Sequence, residues 1–260
     1  MPNAHAAARP AAEMCKRPCP EDGAVIKAMK VEKPQDKLLV LDVNNVLLRR
    51  VHESKLVESG FQKQADKTVG KMHIFLRPHA RDFLKWCSEK YHIVVWSSAM
   101  RHNVQHMVEL AFRDLDITPV AVLDQTDCDE TGEMDPSTPG KPLMLKNLTK
   151  VWANEKVSKF GCFGPTNTLL VDDSPYKAAA NPNNTAIHPQ GWNGPDDKDP
   201  SSNDALGVCG DVRRVLAMVA ESDDVPGAVI KVNGAYWKDA SSCEITRMLR
   251  QKLQPKFHED

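Results

Sequence analysis

The chain has 260 residues, of which 41% are hydrophobic and 27% are charged, and its formal net charge is −1. These values are typical of a soluble globular protein with one large domain, or one domain with extensions, and the near-zero charge argues against a nucleic-acid binder. No apolar run approaches the roughly 18 residues of a membrane-spanning helix, so we expect no membrane span. The seven cysteines form no regular framework, which indicates reduced thiols and a cytoplasmic or nuclear location.

Residues 1–35 combine many Pro, Ala and charged side chains without periodicity, which predicts a disordered N-terminal tail. Cys15 and Cys19 lie in this tail, but no second ligand pair follows at zinc spacing, so we expect no zinc site. The main domain is predicted to span residues 36–222. Residues 223–260 are predicted to form a C-terminal helical extension, because apolar residues recur at helical spacing around residues 245–253.

Within the main domain, apolar runs of strand length predict strands that are covered on both faces. In chain order these runs are residues 38–43, 92–97, 119–123 and 168–172, followed by a short run at 185–187. Apolar residues recur at helical spacing in three segments between or after them, at 80–87, 104–111 and 212–219. The alternation predicts an α/β fold of Rossmann-like type, an open parallel sheet with helices on both faces.

Three polar stretches interrupt this alternation. Residues 49–72 are predicted to form a flap or hairpin, whereas residues 126–141 and 190–210 are predicted to be long loops. We therefore expect a single sheet domain with a flap and loop insertions.

Three of the predicted strands end in polar residues that carry chemistry. The first ends at Asp42, the second at Ser97 and Ser98, and the fourth at Asp172 and Asp173. Ligands of an open parallel sheet bind at the carboxyl ends of its strands, so these five side chains are predicted to meet at one edge. Taken singly, a strand-end aspartate is more often a turn or a helix cap. The joint occurrence of the three groups favours a site.

Carboxylates that meet at one point repel each other, and a divalent cation relieves that repulsion. Donors that are all oxygen favour Mg²⁺, which prefers phosphate partners. A carboxylate that faces a bound phosphate can attack it to give an aspartyl-phosphate, and the Ser97 hydroxyl can hydrogen-bond a phosphate oxygen. Lys146 could supply compensating positive charge, although a single lysine is more often a solvated surface residue.

Four segments carry a family resemblance: residues 42–46, residues 96–99, Lys146, and residues 171–175. In this order they resemble the motifs of the haloacid dehalogenase (HAD) superfamily, and more narrowly its carboxy-terminal-domain phosphatase branch, the NLI-interacting-factor-like family. Segments at 77–79, 145–148 and 181–187 resemble further parts of that branch, so the resemblance covers residues 36 to about 220. It implies a HAD-type sheet and Mg²⁺-dependent hydrolysis of phosphoserine or phosphothreonine in a phosphoprotein or phosphopeptide.

The resemblance also implies roles for individual residues. Asp42 matches the nucleophile that takes the phosphoryl group, and it matches a Mg²⁺ ligand together with the backbone carbonyl of residue 44. Lys146 matches the lysine that balances charge on the nucleophile and phosphate. Ser97 matches the phosphate-binding hydroxyl, and we assign the adjacent Ser98 to the same group. The remaining metal positions fall on the acidic pair, Asp172 and Asp173.

Asn44 departs from the family pattern, which has a second aspartate at this position as the general acid and base. An amide preserves the shape of a carboxylate but cannot donate and take up a proton near neutral pH. Loss of general acid–base help costs about 10²- to 10⁴-fold in rate. The backbone carbonyl ligand is unaffected by the change. The chain is therefore predicted to bind Mg²⁺ and phosphate and to turn over slowly.

Several functions stay open on the sequence. A slow phosphatase is the first, with His52 of the predicted flap as a candidate substitute acid. A catalytically impaired pseudophosphatase that serves as a phosphoprotein-binding, scaffold or protein-import-type module is the second. The absence of a predicted membrane span argues against a translocase subunit, and the lack of an obvious cap domain argues against a metabolite phosphatase. Nothing in the sequence indicates the oligomeric state.

Overall fold

A computed structural model of the chain describes residues 37–135, 140–197, 204–232 and 243–253. The predicted tail at residues 1–35, with Cys15 and Cys19, lies outside the described residues. The strands are β1 (Leu38–Leu41), β2 (Leu48–His52), β3 (Lys67–Val69), β4 (Met72–Leu76), β5 (His92–Trp96), β6 (Ala121–Leu123), β7 (Asp129–Met134), β8 (Pro142–Leu145), β9 (Thr168–Val171) and β10 (Ala186–Ile187). The α-helices are α1 (Glu53–Ser59), α2 (Ala80–Ser88), α3 (Arg101–Ala111), α4 (Leu148–Trp152), α5 (Glu155–Ser158), α6 (Asp211–Ala220), α7 (Val225–Val232) and α8 (Glu244–Leu253). Short 3₁₀ helices lie at Gln125–Asp127 and Pro175–Ala178.

The main sheet has five parallel strands in the order β10-β9-β1-β5-β6. β1 is the central strand, and its four residues have no solvent exposure. Alternate residues of β1 point to opposite faces: Leu39 and Leu41 belong to one hydrophobic cluster, whereas Leu38 and Val40 belong to another. Both faces are therefore covered, as the unbroken apolar runs predict.

Helices cover both faces of this sheet. The larger cluster receives apolar side chains from α2, α3, α6 and α7, and the smaller one receives Leu148 and Val151 of α4 and Val157 of α5. This arrangement confirms the predicted α/β fold with an open parallel sheet. Each predicted strand is present, although β1 ends at Leu41 and β6 begins at Ala121, so both are shorter than their apolar runs.

The polar insertions have more regular structure than their composition indicates. The predicted flap at residues 49–72 holds α1, β3 and most of β2, and these two strands pair with β4, which continues beyond the predicted range, in an antiparallel sheet. The expectation of a long loop at residues 126–141 is wrong in part, because β7 pairs with β8 as an antiparallel hairpin. Half-buried and exposed residues alternate along β7, but these residues are mainly polar and give no apolar run. Of the predicted loop at residues 190–210, residues 198–203 lie outside the described residues. Trp192 in the described part is fully buried and packs with Val51 of β2 and Phe75 of β4.

The described parts of the predicted C-terminal extension are helical. Val225, Ala228, Val229 and Val232 of α7 belong to the same hydrophobic cluster as the main sheet. Leu249 of α8 packs with Leu143 and Leu145 of β8. The domain boundary at residue 222 stays a prediction, and α7 shares the core of the preceding domain. Within the described ranges, no helix is both long and apolar enough to cross a bilayer.

Candidate functional site

The polar ends of three neighbouring strands meet at one edge of the main sheet. β1 lies between β5 and β9, and Leu41 is in register with Val95 on one side and Val171 on the other. Asp42 follows Leu41, and its backbone N–H donates to the Val171 carbonyl at 2.9 Å. The predicted convergence at the carboxyl edge of the sheet is therefore present in the fold.

Three carboxylates form the centre of the candidate site. Asp42 is 2% exposed, Asp172 has no exposure, and Asp173 is half-buried. Each of the three offers one oxygen atom, and these atoms lie within 4.8 Å of one another. A cluster of oxygen donors at this spacing could hold a divalent cation.

Lys146 is a buried counter-ion rather than a surface lysine. Its side chain has no exposure, and Nζ lies 2.9 Å from Asp42 Oδ1 and 2.5 Å from Asp172 Oδ2. The contact with Asp172 is a hydrogen bond, whereas the contact with Asp42 lacks hydrogen-bond angles and is an ion pair only. Nζ also donates to the Trp96 carbonyl at 2.7 Å, immediately before Ser97. Lys146 thus joins the ends of β1, β5 and β9.

Lys177 is a second buried counter-ion, which the sequence reasoning missed. Its Nζ donates to Asp42 Oδ2 at 3.2 Å and to Asp172 Oδ1 at 3.0 Å, and lies 3.9 Å from Asp173 Oδ1. The residue lies in the 3₁₀ helix Pro175–Ala178. The sequence offers only a weak signal for this role, namely a lysine that follows the acidic pair Asp172 and Asp173 within one short turn.

Burial and neighbouring charges shift the pKa values of Asp172, Asp173 and Lys177. Burial alone would raise the pKa of Asp172, but the ammonium groups of Lys146 and Lys177 hold that pKa well below its usual range. Burial would lower the pKa of Lys177, yet the carboxylates of Asp172, Asp42 and Asp173 raise it well above the usual value. Burial raises the pKa of Asp173, and the Asp172 and Asp42 charges add to this effect. Three carboxylates against two ammonium groups leave a formal charge of −1.

Asn44 and Asn45 form the loop after Asp42. Asn44 Oδ1 accepts from the Arg50 backbone N–H at 2.9 Å, and its Nδ2 donates to Asn45 Oδ1 at 3.0 Å. Asn45 has a φ of 66°, a left-handed conformation that asparagine tolerates better than most residues. Its Nδ2 donates to Asp173 Oδ2 at 2.8 Å. The amide at position 44 therefore lies in a fixed network beside the carboxylates.

The other predicted residues lie at different distances from this centre. Ser97 is 3% exposed, and its Oγ accepts from the Ala99 N–H at 3.3 Å. Ser98 is half-buried and lines a small pocket whose other lining residues are Gln125, Lys141, Pro142, Met144 and Tyr176. His52 is exposed, and within the described ranges its ring bonds Ser54 at the start of α1 rather than a site carboxylate.

The three carboxylates meet one requirement of a Mg²⁺ site and fail another. Their oxygen donors suit a hard cation, which binds such oxygens at about 2.0–2.1 Å. The space between them does not suit one, because Lys177 Nζ lies 3.0–3.9 Å from oxygens of all three aspartates. The cluster thus has the donors of a metal site and an ammonium group among them.

The chain is similar to known proteins over most of its length. The model of a family described as NLI interacting factor-like phosphatase matches residues 37–225. An uncharacterized FCP1 homology domain-containing protein of Schizosaccharomyces pombe is 28% identical over 152 residues, which cover 57% of this chain and 58% of that relative.

Two solved structures are also similar in part. One is Fcp1, titled an essential RNA polymerase II CTD phosphatase, with 12% identity and a TM-score of 0.41. The other is a fission yeast Fcp1 variant bound to beryllium fluoride, with 11% identity and a TM-score of 0.40. Each match covers 83% of this chain and 62% of the solved chain.

Proposed function

Because this chain belongs to the NLI interacting factor-like phosphatase family, we propose that it binds phosphoserine or phosphothreonine in a protein segment and hydrolyses it slowly. The family membership confirms the resemblance seen in the motifs, and the matched range 37–225 agrees with the expected coverage. One observation carries the proposal: Asp42 lies buried between two ammonium groups, while the residue two positions later is an amide. A buried carboxylate thus occupies the position proposed for the nucleophile, and an amide occupies the position proposed for the proton carrier.

The first half of the reaction needs a nucleophile and a proton donor. An Asp42 carboxylate oxygen attacks the phosphorus, the bond from phosphorus to the serine oxygen breaks, and the phosphoryl group passes to Asp42. The departing serine oxygen must then gain a proton. The Asn44 amide has no acidic proton at neutral pH, so the proton comes from water.

The second half of the reaction has the same deficiency. Water attacks the phosphorus of the aspartyl-phosphate, the bond from phosphorus to the Asp42 oxygen breaks, and inorganic phosphate leaves. A carboxylate at position 44 would take the proton of this water, and Asn44 does not. Loss of such help costs about 10²- to 10⁴-fold in rate. Both oxygens of Asp42 also face an ammonium group, at 2.9 and 3.2 Å, which weakens the carboxylate as a nucleophile.

Positive charge and a hydroxyl group would orient the substrate. Lys146 and Lys177 place their ammonium groups beside Asp42, where the phosphoryl oxygens would lie. Ser97 adds a buried hydroxyl at the end of β5, next to the carbonyl that Lys146 binds. The Mg²⁺ dependence that the family resemblance implies stays a prediction, and ion binding would require Lys177 to move.

The test compares three proteins with a phosphoserine peptide and an aryl phosphate in the presence of Mg²⁺. Wild type is expected to release phosphate slowly, Asn44→Asp to release it about 10²- to 10⁴-fold faster, and Asp42→Asn not at all. Rapid phosphate release by wild type that Asn44→Asp does not accelerate would contradict the proposal. An acid-quenched phosphoryl adduct seen by intact mass in wild type and not in Asp42→Asn identifies the nucleophile.

A second function is binding without turnover, as a pseudophosphatase module. The cluster favours it because the acid–base group is absent and an ammonium group lies among the oxygen donors. In this case wild type binds the phosphoserine peptide more tightly than its unphosphorylated form and releases no phosphate. Fluorescence anisotropy with the two labelled peptides separates this outcome from slow turnover.

A further inference from the structure

We propose that the Lys177 ammonium takes the cation position of this site, so that the protein binds phosphate groups without a divalent ion and binds Mg²⁺ only weakly. The inference rests on the proposed function and concerns how its site is neutralised. It is carried by the contacts of a single side chain that lies far from Asp42 in the sequence and next to it in the fold.

The contacts of Lys177 are those that a bound cation would make. Its Nζ is 3.2 Å from Asp42 Oδ2 and 3.0 and 3.3 Å from the two oxygens of Asp172. It lies 3.9 Å from Asp173 Oδ1. These three aspartates are the same set whose oxygen atoms cluster closely enough to hold a metal. A Mg²⁺ ion bound by those oxygens would meet a like charge at close range.

Lys146 does not duplicate this role, since the two lysines contact different oxygen atoms of Asp42, although both contact Asp172 Oδ2. Lys146 contacts Asp42 Oδ1 and Asp172 Oδ2, while Lys177 contacts Asp42 Oδ2 and makes its shortest contact with Asp172 Oδ1. Lys177 is also the lysine within ion-pair distance of Asp173. Both ammonium groups therefore contact Asp42 and Asp172, and of the two only that of Lys177 also lies within ion-pair distance of the third carboxylate.

The backbone holds Lys177 in this position. Its N–H donates to the Ser174 carbonyl at 3.1 Å, and its carbonyl accepts from the Lys146 N–H at 2.8 Å. Asp172 anchors the start of the same turn, because its Oδ1 accepts from the Ser174 N–H at 2.9 Å. The Lys177 side chain is only 7% exposed. The turn therefore fixes the backbone position from which the Lys177 ammonium group reaches the carboxylates.

Titration calorimetry with Mg²⁺ tests the proposal on wild type, Lys177→Met and the control Lys63→Met. Methionine keeps much of the volume of lysine and removes its charge, and Lys63 pairs with Asp66 on the surface. We expect Lys177→Met to bind Mg²⁺ at least about tenfold more tightly than wild type, the equivalent of about 1.4 kcal/mol. Lys63→Met should match wild type. Equal Mg²⁺ affinity in wild type and Lys177→Met overturns the proposal.

A second measurement covers the case in which Lys177→Met does not fold. Wild type alone is titrated with Mn²⁺, and the free ion is followed by its electron paramagnetic resonance signal. Absence of saturable binding in the micromolar range supports the proposal. Tight binding at one site overturns it.

Phosphate binding is measured separately from Mg²⁺ binding. Binding of inorganic phosphate to wild type should be the same in EDTA and in Mg²⁺, and binding to Lys177→Met should need Mg²⁺. Phosphate binding by wild type that disappears in EDTA overturns the inference. Rapid phosphate release from the phosphoserine peptide in EDTA would instead contradict the slow-phosphatase proposal and leave the role of Lys177 standing. The two failures are therefore distinguishable.

Discussion

Lys146 donates a 2.5 Å hydrogen bond to Asp172 at a point where neither side chain has any solvent exposure. The two residues lie 26 positions apart, one after β8 and the other after β9. Removal of one partner from a buried ion pair leaves the other charge uncompensated, which is more costly than loss of a surface pair.

The first prediction concerns the stability of this pair. Lys146→Met should lower the free energy of unfolding by about 3–5 kcal/mol, because Lys177 is then the one ammonium group left in the described cluster against three carboxylates. Urea unfolding followed by circular dichroism measures the change. Lys63→Met removes a lysine from an exposed pair and should cost about 0–1 kcal/mol. Equal losses in the two variants would show that Lys146 is not a buried counter-ion in solution.

The second prediction separates the two serines after β5. Ser97 is buried at the carboxyl edge, whereas Ser98 faces a different pocket. Ser97→Ala should weaken phosphoserine-peptide binding by about 10- to 100-fold, since a hydrogen bond to a charged group contributes about 1.5–3 kcal/mol. Ser98→Ala should change it by less than about threefold. Fluorescence anisotropy provides both affinities, and the reverse order would assign the phosphate contact to Ser98.

The third prediction uses a close approach of the backbone to the site. A Cβ atom on Gly191 would lie 2.8 Å from Asp173 Oδ2 and 3.3 Å from Asn45 Cβ. Gly191→Ala should therefore displace Asp173 from its hydrogen bond with Asn45 and cost about 1–3 kcal/mol of unfolding free energy. Gly164→Ala is the matched control, because a Cβ there meets nothing within 4 Å.

Urea unfolding of both glycine variants provides the comparison. A loss confined to Gly191→Ala would agree with close packing around Asp173. Similar stabilities in the two variants would contradict it.

The fourth prediction is a pH dependence that comes from His188. Its Nδ1 donates to the Asp172 carbonyl at 2.8 Å. Burial lowers the pKa of His188, and the Asp172 carbonyl only partly offsets this effect. The neutral ring is therefore favoured in the folded state. As pH falls below about 6.5, the unfolded chain takes up a proton first. Stability should fall with pH until folded His188 also becomes protonated.

The variant His188→Asn isolates this contribution. Asparagine can keep an N–H donor near the position of Nδ1 and does not titrate. The difference in unfolding free energy between wild type and His188→Asn should shrink as pH falls through the same window. Urea unfolding at a series of pH values measures it. Two stability curves that stay parallel would contradict a lowered pKa.

Local patterns in the sequence were sufficient for the main sheet and for most of the site. Unbroken apolar runs predicted β1, β5 and β9, since a strand buried on both faces needs no polar alternation. The register of parallel strands then placed Asp42, Ser97 and Asp172 at one edge. Lys146 was predicted from its motif, and its burial follows from the carboxylates that surround it.

The sequence by itself therefore determined the sheet, its polar edge and the amide at position 44, because each of these features depends only on residues that are close together in the chain. Only the tertiary structure decided which charges meet. Lys177 and Asp42 are 135 positions apart, and their contact depends on how a short turn after β9 packs on the end of β1. Pairing of β7 with β8 was likewise decided by partners in space, because a mainly polar strand is stabilised by its neighbour rather than by its own apolar pattern.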